Sequence, residues 1–455
     1  LLFIGGGRNG REPPIGPSDR VAQVALATGT VCVELGMVPN QPLVFHNDGH
    51  ERVEDDLIGY THEQFLATGD VTWPVRNAMV KSAVRAMDTI TAVMASEAGG
   101  RKTVNKFVVA GGSKRGWTTW LTGAVDSRVV AIVPIVIDVL NVQESMQHHF
   151  GAYGFWAPAV GDYVQHRLME RMAHPRMTEL YAFEDPYYYR HRLTKPKLVL
   201  NASGDQFFLP DSSQFYWNEL QGPKWLRYVP NADHGLNGTD AMETLIAFYA
   251  LILQGKEPPQ YSWTEESDGS FRVTTALKPQ EVLLWQATNP EARDFRVETL
   301  GRKYTSTVVE AGADGTYVAN VEQPEQGFTA YFVELTYDVG APVPLKLTTN
   351  VRVVPDVLPY ATKNPALPAT LTIICTAAGD AEAQKLVADG EAFLAEQKFS
   401  QTDVITKQSG ARCYFNIAPT SEWEPMAEQF AKWLKEHGGD QFRFQLESGP
   451  GITAN

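Results

Sequence analysis

Cysteine is scarce in this chain of 455 residues, which holds only Cys32, Cys375 and Cys413. A fold stapled by many disulfides is therefore excluded, and hydrophobic cores must hold the molecule together. Long apolar runs are missing too: nowhere do 18 apolar residues follow one another, so no segment reads as a membrane span. Cations are in deficit, with 39 Lys and Arg against 53 Asp and Glu and a net charge of −14. Phosphate binding needs a basic face, which argues against a nucleic-acid partner. The zinc-protease pattern H-E-x-x-H and the G-K-[ST] ending of a Walker loop are both absent, and no cofactor is called for. What the sequence has is 44% apolar residues, enough for two or three domains with substantial cores.

The stretch 104–117, VNKFVVAGGSKRGW, is the most informative. Phe107 to Ala110 suit a central parallel strand, Gly111 and Gly112 allow a tight turn, and a helical pattern starts just after Ser113. Such a turn lifts the Ser113 hydroxyl out of the sheet beside helix N-terminal amides. Two further apolar strands follow: 195–205 ends in Asp205, and 224–236 ends in a loop carrying His234. Serine, acid, histidine, each after a strand, is the chain order of an α/β-hydrolase triad. In it Ser113 is the nucleophile, His234 the base and Asp205 the group that orients the imidazole. Asp211 in the same loop is a rival acid, whereas Asp233 is too close in sequence to His234. Each residue also has a plainer reading: Ser113 and Asp205 as helix caps, His234 as an incidental loop residue.

Residues 1–10, LLFIGGGRNG, read as a strand running into a glycine-rich loop of the oxyanion type. The amides of Gly6 and Gly7 would join that of Lys114 to hold a negative oxygen. One position departs from the G-x-S-x-G elbow, since Arg115 stands two after the serine and Gly116 one step later. Arg115 is a candidate for a substrate carboxylate or oxyanion, or for a salt bridge at the helix start. The cluster His46, Asp48, His50, Glu51, Asp55 and Asp56 has metal-ligand chemistry but reads better as a solvated loop.

Strand and helix alternate up to about residue 260, with a segment rich in His, Tyr, Trp and Met interrupting between about 141 and 194. Placed there, the interruption would be a helical lid over the serine, with Tyr153 and Trp156 as candidate substrate contacts. Short alternating strands from 261 to 358 predict a small β-sandwich. Residues 367–449 read strand, helix, strand, strand, helix, strand, the order of a ferredoxin-like α+β domain. Its first and third strands would be neighbours and would carry Cys375 and Cys413, leaving a disulfide between them open. The expectation is thus an α/β-hydrolase fold with a helical lid insertion, followed by the sandwich and the ferredoxin-like module. Because Leu1 falls inside a core-type strand, a further N-terminal segment is expected to precede it, cleaved or held as a separate chain.

The stretches LLFIGGGRNG, VVAGGSKRGWTTWLTGAVDSRVVAIVP, LVLNASGDQFFLPDSS, YVPNADHGL, LLWQATNPEARDFR and VRVVPDVLPY resemble the PhoPQ-activated pathogenicity-related family. The resemblance implies an α/β-hydrolase-like protein that is periplasmic or secreted, with its triad on Ser113, Asp205 and His234. The expected activity is serine hydrolysis of a small-molecule or peptide-like ester or amide through an acyl-enzyme. The alternative is a signalling or binding protein whose hydrolase domain is inactive.

Overall fold

The structure, a computed structural model, describes residues 1–172, 174–361, 370–397, 404–409, 412–417, 423–437 and 442–447. The first part of the chain runs β1 (Leu2–Ile4), α1 (Asp19–Thr28), β2 (Val33–Leu35), α2 (Glu54–Thr68), α3 (Val75–Ala95), β3 (Phe107–Gly112), α4 (Lys114–Val125) and β4 (Val129–Ile135). Then come α5 (Val142–Tyr153), α6 (Gly161–Gln165), α7 (Pro175–Glu184), β5 (Lys197–Ala202), β6 (Lys224–Val229) and α8 (Ala241–Leu253). The six strands form one parallel sheet in the order β2-β1-β3-β4-β5-β6. Strands covered on both faces are mostly apolar, and β5, buried at every position, carries Leu198, Val199, Leu200 and Ala202 beside Lys197 and Asn201. Helix α8 has nine buried residues, as expected of a helix packed into a core.

Next follow β7 (Tyr261–Glu265), β8 (Phe271–Thr275), β9 (Glu281–Asn289), α9 (Val297–Leu300), β10 (Thr305–Val308), β11 (Tyr317–Ala319), β12 (Phe328–Tyr337), β13 (Leu345–Thr348) and β14 (Arg352–Val354). They pair antiparallel into two sheets, one ordered β10-β9-β12-β13 with β14 also on β12, the other β11-β8-β7. Packing does not break at residue 260. A single cluster joins Trp225 and Val229 of β6, Phe248 of α8, Phe271 of β8 and Tyr331 of β12. Residues 1–40, 75–161 and 183–363 accordingly make one compact unit.

The second unit comprises residues 41–74, 162–182 and 364–455. The interruption expected as one lid over 141–194 is therefore divided, with α5 in the first unit and 162–182 in the second. The segment read as a solvated loop is partly helix and partly buried. Arg52 is fully buried, paired with Asp48 at 2.7 Å and lying 3.8 Å over the Tyr60 ring. Asp56 and Glu63 of α2 flank His166 at 2.9 and 2.6 Å, and Asp55 accepts from the Tyr163 hydroxyl at 2.9 Å. Protein groups thus occupy these carboxylates.

The chain then continues as β15 (Thr370–Thr376), α10 (Asp380–Glu396), β16 (Val404–Ser409), β17 (Arg412–Ile417), α11 (Trp423–His437) and β18 (Phe442–Glu447). The sheet is antiparallel in the order β16-β17-β15-β18, so its first and third strands are adjacent. Register sets Cys375 opposite Cys413, whose buried thiol donates to the Ala383 carbonyl at 3.3 Å. The Cys375 side chain, like the expected limits at 367 and 449, lies outside the described residues.

Candidate active site

In the parallel sheet β2 lies on one side of β1, while β3 and all later strands lie on the other. The crevice beyond the C-terminal ends of β1 and β3 is therefore the topological switch point, where open α/β sheets bind ligands. Gly5–Gly7 follow β1 and Ser113 follows β3, so the glycine loop and the serine share that crevice edge. Asp205 and His234 come after β5 and β6 on the same rim.

Ser113 has φ 55° and ψ −128°, a conformation that costs a non-glycine residue about 1–3 kcal/mol. The backbone is locked there, with its N–H donating to the Ile135 carbonyl at 2.8 Å and its carbonyl accepting from Trp117 N at 3.0 Å. Its hydroxyl makes no capping bond to α4, so the helix-cap reading fails. The displaced glycine of the elbow is also explained. A β-carbon at Gly116 would lie 2.8 Å from the Ile135 carbonyl oxygen, so it is position 116 that must remain bare against β4. Position 115 points elsewhere: Arg115 Nε donates to the Val38 carbonyl at 2.5 Å. Its guanidinium also lies where a Gly6 side chain would be, 2.7 Å from an ideal β-carbon there. Arg115 thus braces the glycine loop against the helix start. The Gly6 carbonyl accepts from Met37 N at 2.9 Å, fixing the loop from its other side. Lys114, next to the serine, is buried.

His234 Nδ1 lies 2.8 and 3.0 Å from the two Asp205 oxygens. A carboxylate can only accept, so Nδ1 carries the proton that faces Asp205 and Nε2 is the ring nitrogen left for other partners. Asp205 is buried and also accepts from Phe207 N at 2.7 Å, while His234 N donates to Gln206 Oε1 at 2.9 Å. Asp211, the rival acid, is engaged elsewhere, 3.0 Å from His148 Nε2 and 2.6 Å from Arg293 Nη2. Burial alone would raise its pKa, but these two groups hold it far below the usual carboxylate range.

Tyr153 is buried with Ala152, Ala157 and Leu209, edge-on to His149 and beneath the Arg296 guanidinium. Trp156 is half-buried against His149 and Phe150. Trp156 packs on the insertion's own rings, whereas Tyr153 joins the insertion to Leu209 and Arg296 outside it. Burial pushes His149 down to about 3, and its Nε2 accepts from Ala157 N at 3.1 Å.

One residue near the rim escaped sequence reasoning. Asp138, just beyond β4, is buried and accepts from the Tyr216 and Tyr228 hydroxyls at 2.6 and 2.5 Å. Burial raises it to about 8 despite these bonds. Its signal in the sequence is a lone acid inside the apolar run 129–140.

The family model described as PhoPQ-activated pathogenicity-related protein matches residues 1–296. The autocrine proliferation repressor protein A of Dictyostelium discoideum is 37% identical over 393 residues, covering 79% of this chain and 78% of the relative. This chain belongs to the PhoPQ-activated pathogenicity-related family. The family match takes in the glycine loop, Ser113, Asp205, His234 and Arg293. Among solved structures, an acetyl xylan esterase from Paenibacillus sp. R4 is 17% identical, with TM-score 0.38 over 55% of this chain and 73% of that one. A Mycobacterium tuberculosis puromycin-hydrolyzing peptidase is 18% identical, with TM-score 0.35 over 55% of this chain; only 34% of that peptidase is covered.

Proposed function

We propose that this family member is a serine hydrolase that cleaves an ester or amide of modest size, peptide-like substrates included. Ser113 Oγ attacks the carbonyl carbon while His234 Nε2 takes its proton, and the imidazolium then protonates the leaving group. Water attacks the acyl-enzyme by the reverse proton route, and Asp205 keeps the imidazole in the required tautomer throughout. Amides of Gly6, Gly7 and Lys114 are the proposed donors to the oxyanion. In this reading α5 and its flanks roof the crevice, residues 261–358 form a sandwich, and 367–449 form a ferredoxin-like module for docking. The protein acts in the periplasm or outside the cell, in keeping with the family resemblance.

The observation that carries the reading is the Asp205–His234 pair at 2.8 Å on the sheet edge where Ser113 holds a positive φ. Fluorophosphonate labelling tests it: covalent modification is expected in the native chain and absent in Ser113→Ala. A native chain that takes no label would remove the enzymatic reading. A second reading, an inactive hydrolase fold that signals by binding, is favoured by the name of the Dictyostelium relative, a proliferation repressor. It predicts no labelling, and a biological effect unchanged in Ser113→Ala.

A further inference from the structure

The parallel strands point Ser113, Asp205 and His234 to one edge of the sheet, whereas Lys224 opens β6 at the opposite edge. There, within the first unit, the segment before β6, the start of β7 and Asn350 line a half-open cavity of about 560 Å³. That volume lies inside the range of roughly 300–1,000 Å³ typical of small-molecule sites. Three aromatic rings line it: Tyr261 and Trp263 are half-buried, whereas Trp217 is buried with Lys224 Nζ 5.1 Å over its ring. Trp217 and Trp263 stack with centroids 5.8 Å apart, and Tyr261 lies 5.5 Å from Trp263. The Tyr261 hydroxyl is anchored on the Thr348 carbonyl at 2.7 Å.

Around the rings the lining is polar and its charges are engaged by the protein itself. Lys224 Nζ donates to the Trp217 and Leu220 carbonyls. Glu265 pairs with Arg352 at 3.1 Å and accepts from Asn350 Nδ2 at 2.7 Å. The Asn218 and Gln260 side chains are exposed, the latter with Nε2 3.4 Å from Glu257 Oε2. Asn350 is 8% exposed, and its Oδ1 is a buried acceptor with no hydrogen-bond partner.

We propose that this cavity binds a neutral saccharide. A pyranose has apolar C–H faces that sit on aromatic rings and a rim of hydroxyls that both donate and accept. Planar amides suit that rim, and a lining whose charged groups already have hydrogen-bond partners in the protein favours a ligand without charge. The proposal is independent of any role for Ser113.

The test is a tryptophan-fluorescence titration of the full chain with maltotetraose, cellotetraose, xylotetraose, chitotetraose and mannotetraose. A saturable change is expected with at least one of them. The exposed-site variants Asn218→Ala and Gln260→Ala, checked for unchanged melting temperature, should each weaken it about tenfold, the scale of one lost hydrogen bond. Ser113→Ala should leave it unaltered, separating this site from the catalytic rim. Failure of all five sugars to bind would overturn the proposal. So would binding indifferent to both amide variants, or binding lost in Ser113→Ala.

Discussion

A β-carbon added at Gly116 would meet the Ile135 and Gly111 carbonyl oxygens at 2.8 and 2.9 Å, both of them backbone atoms of the sheet. Neither can retreat without moving the serine turn. Gly116→Ala is therefore expected to cost about 1–3 kcal/mol in urea denaturation and to slow labelling of Ser113. Asp138 gives a pH signature. Its folded pKa is raised to about 8 by burial, so the native state keeps a proton that the unfolded chain loses near the ordinary carboxyl value. Native binding then exceeds unfolded binding between those limits, and this residue's contribution to stability falls as pH rises through them. Asp138→Asn should remove that fall: the difference in unfolding free energy between variant and native chain should move in the variant's favour from pH 4 to pH 8. The choice of Asp205 over Asp211 was legible because Asp205 directly follows its strand. The true occupation of Asp211 was not, since Arg293 lies 82 positions further along the chain.

At the scale of elements, apolar patterns made β3, the start of α4 and β5 readable to within a few residues. Helix α2 was missed for a physical reason. Its buried residues include Asp55, Thr61, His62, Glu63 and Gln64, so no apolar stripe announces it. The insertion after β4 also depends on a residue with no sequence signature. Buried Asp185 accepts from Val142 N in the first turn of α5 and from Tyr187 N, both at 2.9 Å, tying together the two ends of that excursion. Asp185→Ala leaves both amides without this acceptor and should cost about 1–3 kcal/mol in the same denaturation assay. Asp185→Asn, which keeps one acceptor oxygen, should cost less.

Across the molecule, the sheet and the antiparallel strands share charges as well as a core. Arg227 of β6, 1% exposed, is hydrogen-bonded to Glu334 of β12 and lies 3.0 Å from Asp240, which Lys346 of β13 approaches at 2.7 Å. Truncating Glu334 to Ala would remove one of this guanidinium's two carboxylate partners and leave Asp240, and a loss of about 1.5–3 kcal/mol is expected. The loss should appear as one cooperative transition for tryptophans on both sides of residue 260, whereas separately folding domains would give two. The sequence by itself determined the alternation of strand and helix, the turn at Ser113, and the order serine, acid, histidine, because each is a local pattern or a position at a strand end. It also carried the family, through stretches that run from residue 1 to residue 360. Only the tertiary structure decided what occupies Asp211, why glycine is required at 116, and where Arg115 reaches. Those depend on groups brought together from distant strands, and no local periodicity encodes such a meeting.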